Sequence, residues 1–251
     1  MNSVVVPVIG MHRSGTSAIA GALHKGGVLM GSERHFKPPP SRQNPKGFFE
    51  DFRFRRLNDR LLERNGYVVK SWEVDIPQFA DDGRIRRSRR RLIGRCQRSA
   101  GAWGWKDPRT CLVLDLWLSD LEAAGLLPQT RVLFVHRHPA AVADSLRRRD
   151  WLGMDVGLRL WTRYTTRSLA AIETFGVPVH YLGYEGVLAD PGRTLDEVGE
   201  FLEGAFDPSA GRTFIDPGLE RSGISSGGKE AEVEGVEAEE ALALYESLKL
   251  R

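Results

Sequence analysis

Cysteine is scarce in this chain: there are two in 251 residues, Cys96 and Cys111. They have neither the spacing of a metal-ligand set nor that of a disulfide framework. Zinc-ribbon and disulfide-stapled scaffolds therefore drop out. Long hydrophobic runs are also missing, and no apolar stretch reaches the roughly 18 residues that a membrane span requires. The first residues pass straight into a strand-like run, without a basic segment or a small-residue cleavage site. We expect a cytoplasmic, reduced protein. No internal repeat is visible. A bulk excess of one charge is lacking too, since 36 Lys and Arg face 33 Asp and Glu for a net charge of +3. A blanket affinity for nucleic acid does not follow, and none is expected. The imbalance is local. Residues 84–98, RIRRSRRRLIGRCQR, are strongly basic, and residues 230–246 are acidic.

What is present fits an ordinary globular α/β chain, with 41% hydrophobic and 27% charged residues. At this length one domain spanning residues 1–251 is expected. Residues 3–9, SVVVPVI, form a short valine-rich run of the kind buried on both faces in a parallel sheet. Pro7 donates no ladder hydrogen bond and is expected to mark the strand's end. A helix follows over 14–25, stopped by Gly26 and Gly27. Residues 31–47, GSERHFKPPPSRQNPKG, are polar, proline-rich and without period, so the 31–60 region reads as a lid or binding loop leading into a helix over 48–65. Further helices are expected over 84–98, 110–124, from Pro139, over 158–175 and over 191–202. Strands are expected over 103–106, 130–136 and 177–182. This alternation predicts a three-layer fold, a central parallel sheet with helices on both faces. Residues 204–251 form a C-terminal extension with a Gly/Ser-rich mobile loop at 222–229.

Ligands in such sheets bind beyond the carboxyl ends of the strands. Residues 10–17, GMHRSGTS, sit there, between the first strand and its helix. Gly10 and Gly15 let the backbone turn tightly around an anion. The loop amides, the open N–H groups of the helix start and the helix dipole all favour phosphate. The loop departs from the triphosphatase pattern, which reads Gly-Lys-Ser/Thr. Here Thr16 follows Gly15, and the cation, Arg13, lies earlier within the loop. No apolar run ends in a magnesium-holding aspartate. A P-loop kinase or nucleotide hydrolase is therefore the alternative rather than the leading expectation.

At these residues the chain resembles the sulfotransferases that use 3′-phosphoadenosine 5′-phosphosulfate (PAPS), most of all the small bacterial members with a P-loop-type fold. The segment Met11-His12-Arg13-Ser14-Gly15-Thr16-Ser17 is similar to their 5′-phosphosulfate loop. His136-Arg137-His138-Pro139 with Ser145 eight positions after Arg137 looks like their 3′-phosphate site. Asn44-Pro45-Lys46-Gly47-Phe48-Phe49-Glu50 resembles the acceptor-side segment of the bacterial members.

The resemblance implies transfer of a sulfonate from PAPS to a hydroxyl acceptor, releasing the bisphosphate PAP without a metal. The acceptor would be a small molecule, a glycan or a lipid. Arg13, Ser14, Gly15, Thr16, Ser17, Arg137 and Ser145 would hold the donor. Arg13 would stabilise the departing phosphate electrostatically, since arginine does not give up its proton. Lys106 would touch the transferring sulfonate. Glu50 is the first candidate for the base, because flanking Phe48 and Phe49 would desolvate it. His35 and Asp107 stay open as alternatives, since the histidine that cytosolic relatives place after Lys-Thr is replaced here by Asp107-Pro108. His12, His136 and His138 are expected to be structural or ligand-orienting. A basic loop at 218–229, with Arg221 and Ser222, would close over the nucleotide. The 84–98 run reads as a solvated helix face. Alternatively it docks an acidic substrate or carrier protein, which leaves a non-catalytic binder of acidic partners as a third possibility.

Overall fold

The computed structural model describes residues 4–41, 44–215 and 235–251. The 218–229 loop expected to cover the nucleotide lies outside the described residues. Four strands build one sheet: β1 (Val4–Ile9), β2 (Ala102–Lys106), β3 (Val132–His136) and β4 (Val179–Gly183). Their order is β2-β1-β3-β4 and every pairing is parallel. Ten helices are described: α1 (Thr16–Lys25), α2 (Phe52–Arg64), α3 (Gly83–Ser99), α4 (Thr110–Ala123) and α5 (Pro139–Asp150); then α6 (Met154–Phe175), α7 (Tyr184–Ala189), α8 (Pro191–Phe201), α9 (Pro208–Arg212) and α10 (Val236–Lys249). None is long and apolar enough to cross a membrane.

Successive strand residues face opposite sides, and the core divides accordingly. Val5, Ile9, Trp103, Trp105, Val132 and Phe134 pack with α2 to α6 and α10. Val6, Val8, Leu133, Val135 and Leu182 pack with α1, α7 and α8. The first layer is dominated by aromatics: the Phe54 ring lies parallel to Trp105 at 5.0 Å, and Trp117 closes on both.

Pro7 does not end β1. It lies inside the central strand, opposite Trp105. The β1–β3 ladder accommodates it: pairing holds at Val5↔Thr130 and again from Val8↔Leu133, and lapses between them, where Pro7 has no N–H to offer. Helix α1 starts at Thr16 rather than Ser14, because Gly15 takes a left-handed φ of 87°. Helix α2 starts at Phe52 rather than residue 48, where the Asp51 carboxylate accepts from the Arg53 amide as an N-cap. The basic run is helical as expected but is not wholly a solvated face. Arg89 is buried and bonded to Asp81 and Asp120.

The sheet order puts a topological switch between β1 and β3. The chain leaves β1 for β2 on one side and leaves β3 for β4 on the other. Open α/β sheets form their ligand crevice at such a switch.

Candidate active site

A cavity of about 860 Å³ lies over the carboxyl edge of the sheet. All four strands deliver residues to it: the 10–17 loop follows β1, Lys106 ends β2, Arg137 follows β3 and Tyr184 follows β4.

The loop is held by backbone constraints. Gly10 has φ 148°, and a Cβ there would lie 2.2 Å from the Val135 carbonyl oxygen. Its amide donates to Cys111 Sγ at 3.2 Å. Gly15 has its own reason to lack a side chain, since a Cβ would meet the Tyr184 ring at 2.0 Å. Arg13 itself adopts φ 71°, a conformation that costs a non-glycine residue on the order of 1–2 kcal/mol. Helix α1 has no side-chain cap. The first-turn amides around Thr16 and Ser17 are thus available to an anion.

The residues after β1 and after β3 meet here. Arg13 Nε donates to Ser145 Oγ at 2.9 Å, and Arg137 Nη1 donates to the Arg13 carbonyl oxygen at 3.3 Å. The Arg137 guanidinium stacks over the Tyr184 ring at 5.1 Å. Residues far apart in sequence therefore form one cationic wall. On the β2 side, Lys106 Nζ is 2.8 Å from Glu50 Oε1 and 3.1 Å from Ser17 Oγ. This lysine and glutamate form a buried ion pair directly beside the loop.

Positive charge dominates. Among the described residues, nine arginines and lysines line the cavity against two carboxylates, Glu50 and Asp150. Several of these cations are paired: Arg109 with Asp107 and Asp59, Arg148 with Asp144, Arg149 with Asp150. Arg13 has no carboxylate within ion-pair distance among the described residues. Burial, and then the charges of Arg149 and Arg137, push its pKa down to about 10. His12, also on the wall, is held neutral: burial, then Arg109, Arg149, Lys106 and Arg13, lower its pKa well below the ordinary histidine range. A site that disfavours its own cations is stabilised by an incoming anion. Ser14 Oγ is buried without a partner and marks the same need. No cluster of three or more His, Cys, Asp or Glu side chains suited to a metal ion occurs among the described residues.

Of the candidate residues, Arg13, Gly15, Thr16, Ser17, Glu50, Lys106, Arg137 and Ser145 all line the cavity. Ser14 is buried in the loop beneath. The two alternative bases do not reach it. Asp107 is fully buried and accepts from Asn58 Nδ2 at 2.8 Å and Arg109 Nη1 at 2.8 Å. His35 packs on Phe52, 3.9 Å from Asp51, and is not on the cavity wall. Sequence reasoning missed Arg148 and Arg149, although the basic run at the end of α5 carried a signal. It also missed Tyr184 and Trp72, whose indole packs on His12 and Arg149. Neither of these has a local motif.

The fold is shared with solved sulfotransferases. The sulfotransferase domain from the curacin biosynthetic pathway aligns with a TM-score of 0.59 at 16% identity, covering 99% of this chain and 98% of that one. The sulfotransferase domain from the Synechococcus PCC 7002 olefin synthase gives 0.59 at 17%, covering 99% and 94%. Sulfotransferase STF9 from Mycobacterium avium gives 0.56 at 15%, covering 100% and 77%. No curated protein sequence matches the chain. The sulfotransferase family model matches residues 6–208, a span that runs from β1 to the start of α9 and includes every wall of the cavity drawn from the sheet edge. With this match over most of its length, the chain belongs to the sulfotransferase family.

Proposed function

We propose that this protein moves a sulfonate group from PAPS to a hydroxyl on a small molecule, glycan or lipid, by in-line transfer. The observation that carries the reading is the Arg13–Ser145 hydrogen bond, which joins the anion loop after β1 to the second cationic site after β3. A donor with phosphate groups on both its 5′ and 3′ oxygens needs two such sites in one cavity. A nucleoside triphosphate needs a single continuous one, with a lysine after Gly15 that this chain lacks.

The residues divide the work. Loop amides, Thr16 and Ser17 grip the 5′-phosphate, and Arg137 and Ser145 grip the 3′-phosphate. The donor supplies an activated sulfonate on a phosphate leaving group. Arg13 holds the charge that grows on that phosphate as the bond to sulfur breaks. Lys106 turns from Glu50 towards the sulfonate oxygens in this reading, supported by its position beside Ser17 and Glu50. Glu50, released from its partner, accepts the proton of the attacking hydroxyl. The acceptor enters along the wall built by Pro38, Asn44, Lys46 and Phe48 from the 31–60 segment, with Trp72 also lining the cavity. That segment therefore sets acceptor choice.

Thermal melting with adenosine 3′,5′-bisphosphate in the presence of a chelator tests the reading. The bisphosphate at about 100 times its dissociation constant should add roughly 2.7 kcal/mol to stability. Stabilisation by ATP that depends on magnesium, with no response to the bisphosphate, would establish the kinase alternative instead.

A further inference from the structure

The proposed chemistry leaves the arginine-rich helix α3 unused. It carries eight arginines, and at 100° per residue they fall into two groups. Ile85, Leu92, Ile93 and Cys96 mark its buried side. Three of the eight are met by the protein's own carboxylates. Arg89 bonds Asp81 and Asp120, Arg90 bonds Asp120 at 2.7 Å, and Arg86 lies 3.7 Å from Asp81. The other five are Arg84, Arg87, Arg91, Arg95 and Arg98. Their steps of 3, 4, 4 and 3 place them in a single line on the outer side, spanning about 21 Å. All five are exposed, and none forms an ion pair within bridging distance among the described residues, Arg84 feeling only the nearby charge of Asp82.

Among the described residues no ion pair ties this line to the rest of the fold. Neighbouring like charges at these spacings disfavour the helix, and Arg84 and Arg87 stand at the positive end of its dipole. None of the five lines the cavity. The exposed large hydrophobics of the described residues are Val68, Trp151, Val236 and Leu250, none of them on α3. The face thus has no wedge for a bilayer and no aromatic platform for unstacked bases. With a net charge of only +3, the molecule exerts little long-range pull on an extended polyanion. A second helix with carboxylates at the same 3–4 spacing repeats its charges at the same pitch and over the same length. Each guanidinium can then take one carboxylate in a forked pair.

We propose that the outer arginine line of α3 docks an acidic helix of a partner protein, laid alongside α3. The test uses the full chain and three fluorescent probes. One is a 21-residue helical peptide with glutamates spaced 3, 4, 4, 3 on one face. The second is an isomer of the same composition with the glutamates spread around the helix. The third is a 15-base-pair DNA duplex. The striped peptide should bind at least tenfold more tightly than its isomer and than the duplex, and binding should collapse at 0.5 M salt. The triple variant Arg87→Glu, Arg91→Glu, Arg95→Glu should lose at least tenfold in affinity while keeping the parent's circular dichroism and melting temperature. Equal binding of the two peptides, tighter binding of the duplex, no binding of any probe, or indifference to the triple variant would each overturn the proposal.

Discussion

At the scale of single residues, Arg13 is the most informative side chain. It sits in a left-handed backbone conformation, is held by Ser145, and has its charge disfavoured by burial and by Arg149 and Arg137. Replacing it with alanine should lower kcat by about 10²–10³, as loss of a transition-state charge donor does. Lysine at the same place should restore part of that loss. A single-turnover assay with saturating donor measures both. Glu50→Gln keeps the shape and removes the proposed base, so turnover should fall by about 10²–10⁴ while bisphosphate affinity stays near that of the parent. Unchanged turnover would remove Glu50 from the chemistry.

His136 gives a residue-scale prediction for stability. Burial lowers its pKa from 6.5 to about 4 in the folded chain, and its Nδ1 has no partner. Between those two values the unfolded chain binds a proton that the folded chain does not. Stability is therefore complete above pH 6.5, falls as pH drops towards 4, and levels off below. The contribution of this one group is on the order of 3 kcal/mol. Urea midpoints measured across pH 4–7 should slope accordingly, and His136→Phe should flatten the curve.

At the scale of elements, strand and helix positions were legible because their patterns are local, whereas the caps were not read, and α2 was begun at residue 48, ahead of its Asp51 cap. Asp51, Asp82, Asp190 and Asp207 cap α2, α3, α8 and α9 with their own side chains, a chemistry that shows in the residue type alone. Pro7 was misleading for the opposite reason. Its cost depends on which neighbour would have accepted its hydrogen bond, and β3 is distant in sequence. The short helices α7 and α9, and α10, carry little period to recognise. The basic run was misjudged in part, because charge along a sequence does not say which side turns inward. Arg89 is 1% exposed and ties α3 to α4 through Asp120, itself 1% exposed. Arg89→Met should cost about 3–5 kcal/mol in urea unfolding, since it leaves a buried carboxylate short of a partner. Arg98→Met, on the exposed line, should cost less than about 0.5 kcal/mol.

At the scale of the whole molecule, the sheet order β2-β1-β3-β4 brings the walls of the cavity together. It sets the turn after β1 beside the turn after β3, so a loop near residue 13 and a helix residue at 145 share a hydrogen bond. Arg137→Ala should therefore weaken bisphosphate protection in the melting assay by about 1.5–3 kcal/mol, the usual worth of a charge-assisted hydrogen bond. It should leave the melting temperature of the free protein within a few degrees of the parent. Loss of folding in that variant would mean that the Arg137 contact with the Arg13 carbonyl holds the loop rather than the ligand.

The sequence by itself determined the strands, most of the helices, the anion-seeking loop and the displacement of its cation from position 16 to position 13. Each of these is written in neighbouring residues, through side-chain period and backbone freedom. Only the tertiary structure decided that Glu50 faces Lys106, that Asp107 and His35 stand off the cavity wall, that Tyr184 fills the space Gly15 leaves, and that α3 buries Arg89 against Asp120 while five of its arginines stay outward and unpaired among the described residues. Those outcomes depend on contacts between segments 30 to 170 positions apart. They are set by how the layers pack on the sheet, which no local pattern encodes.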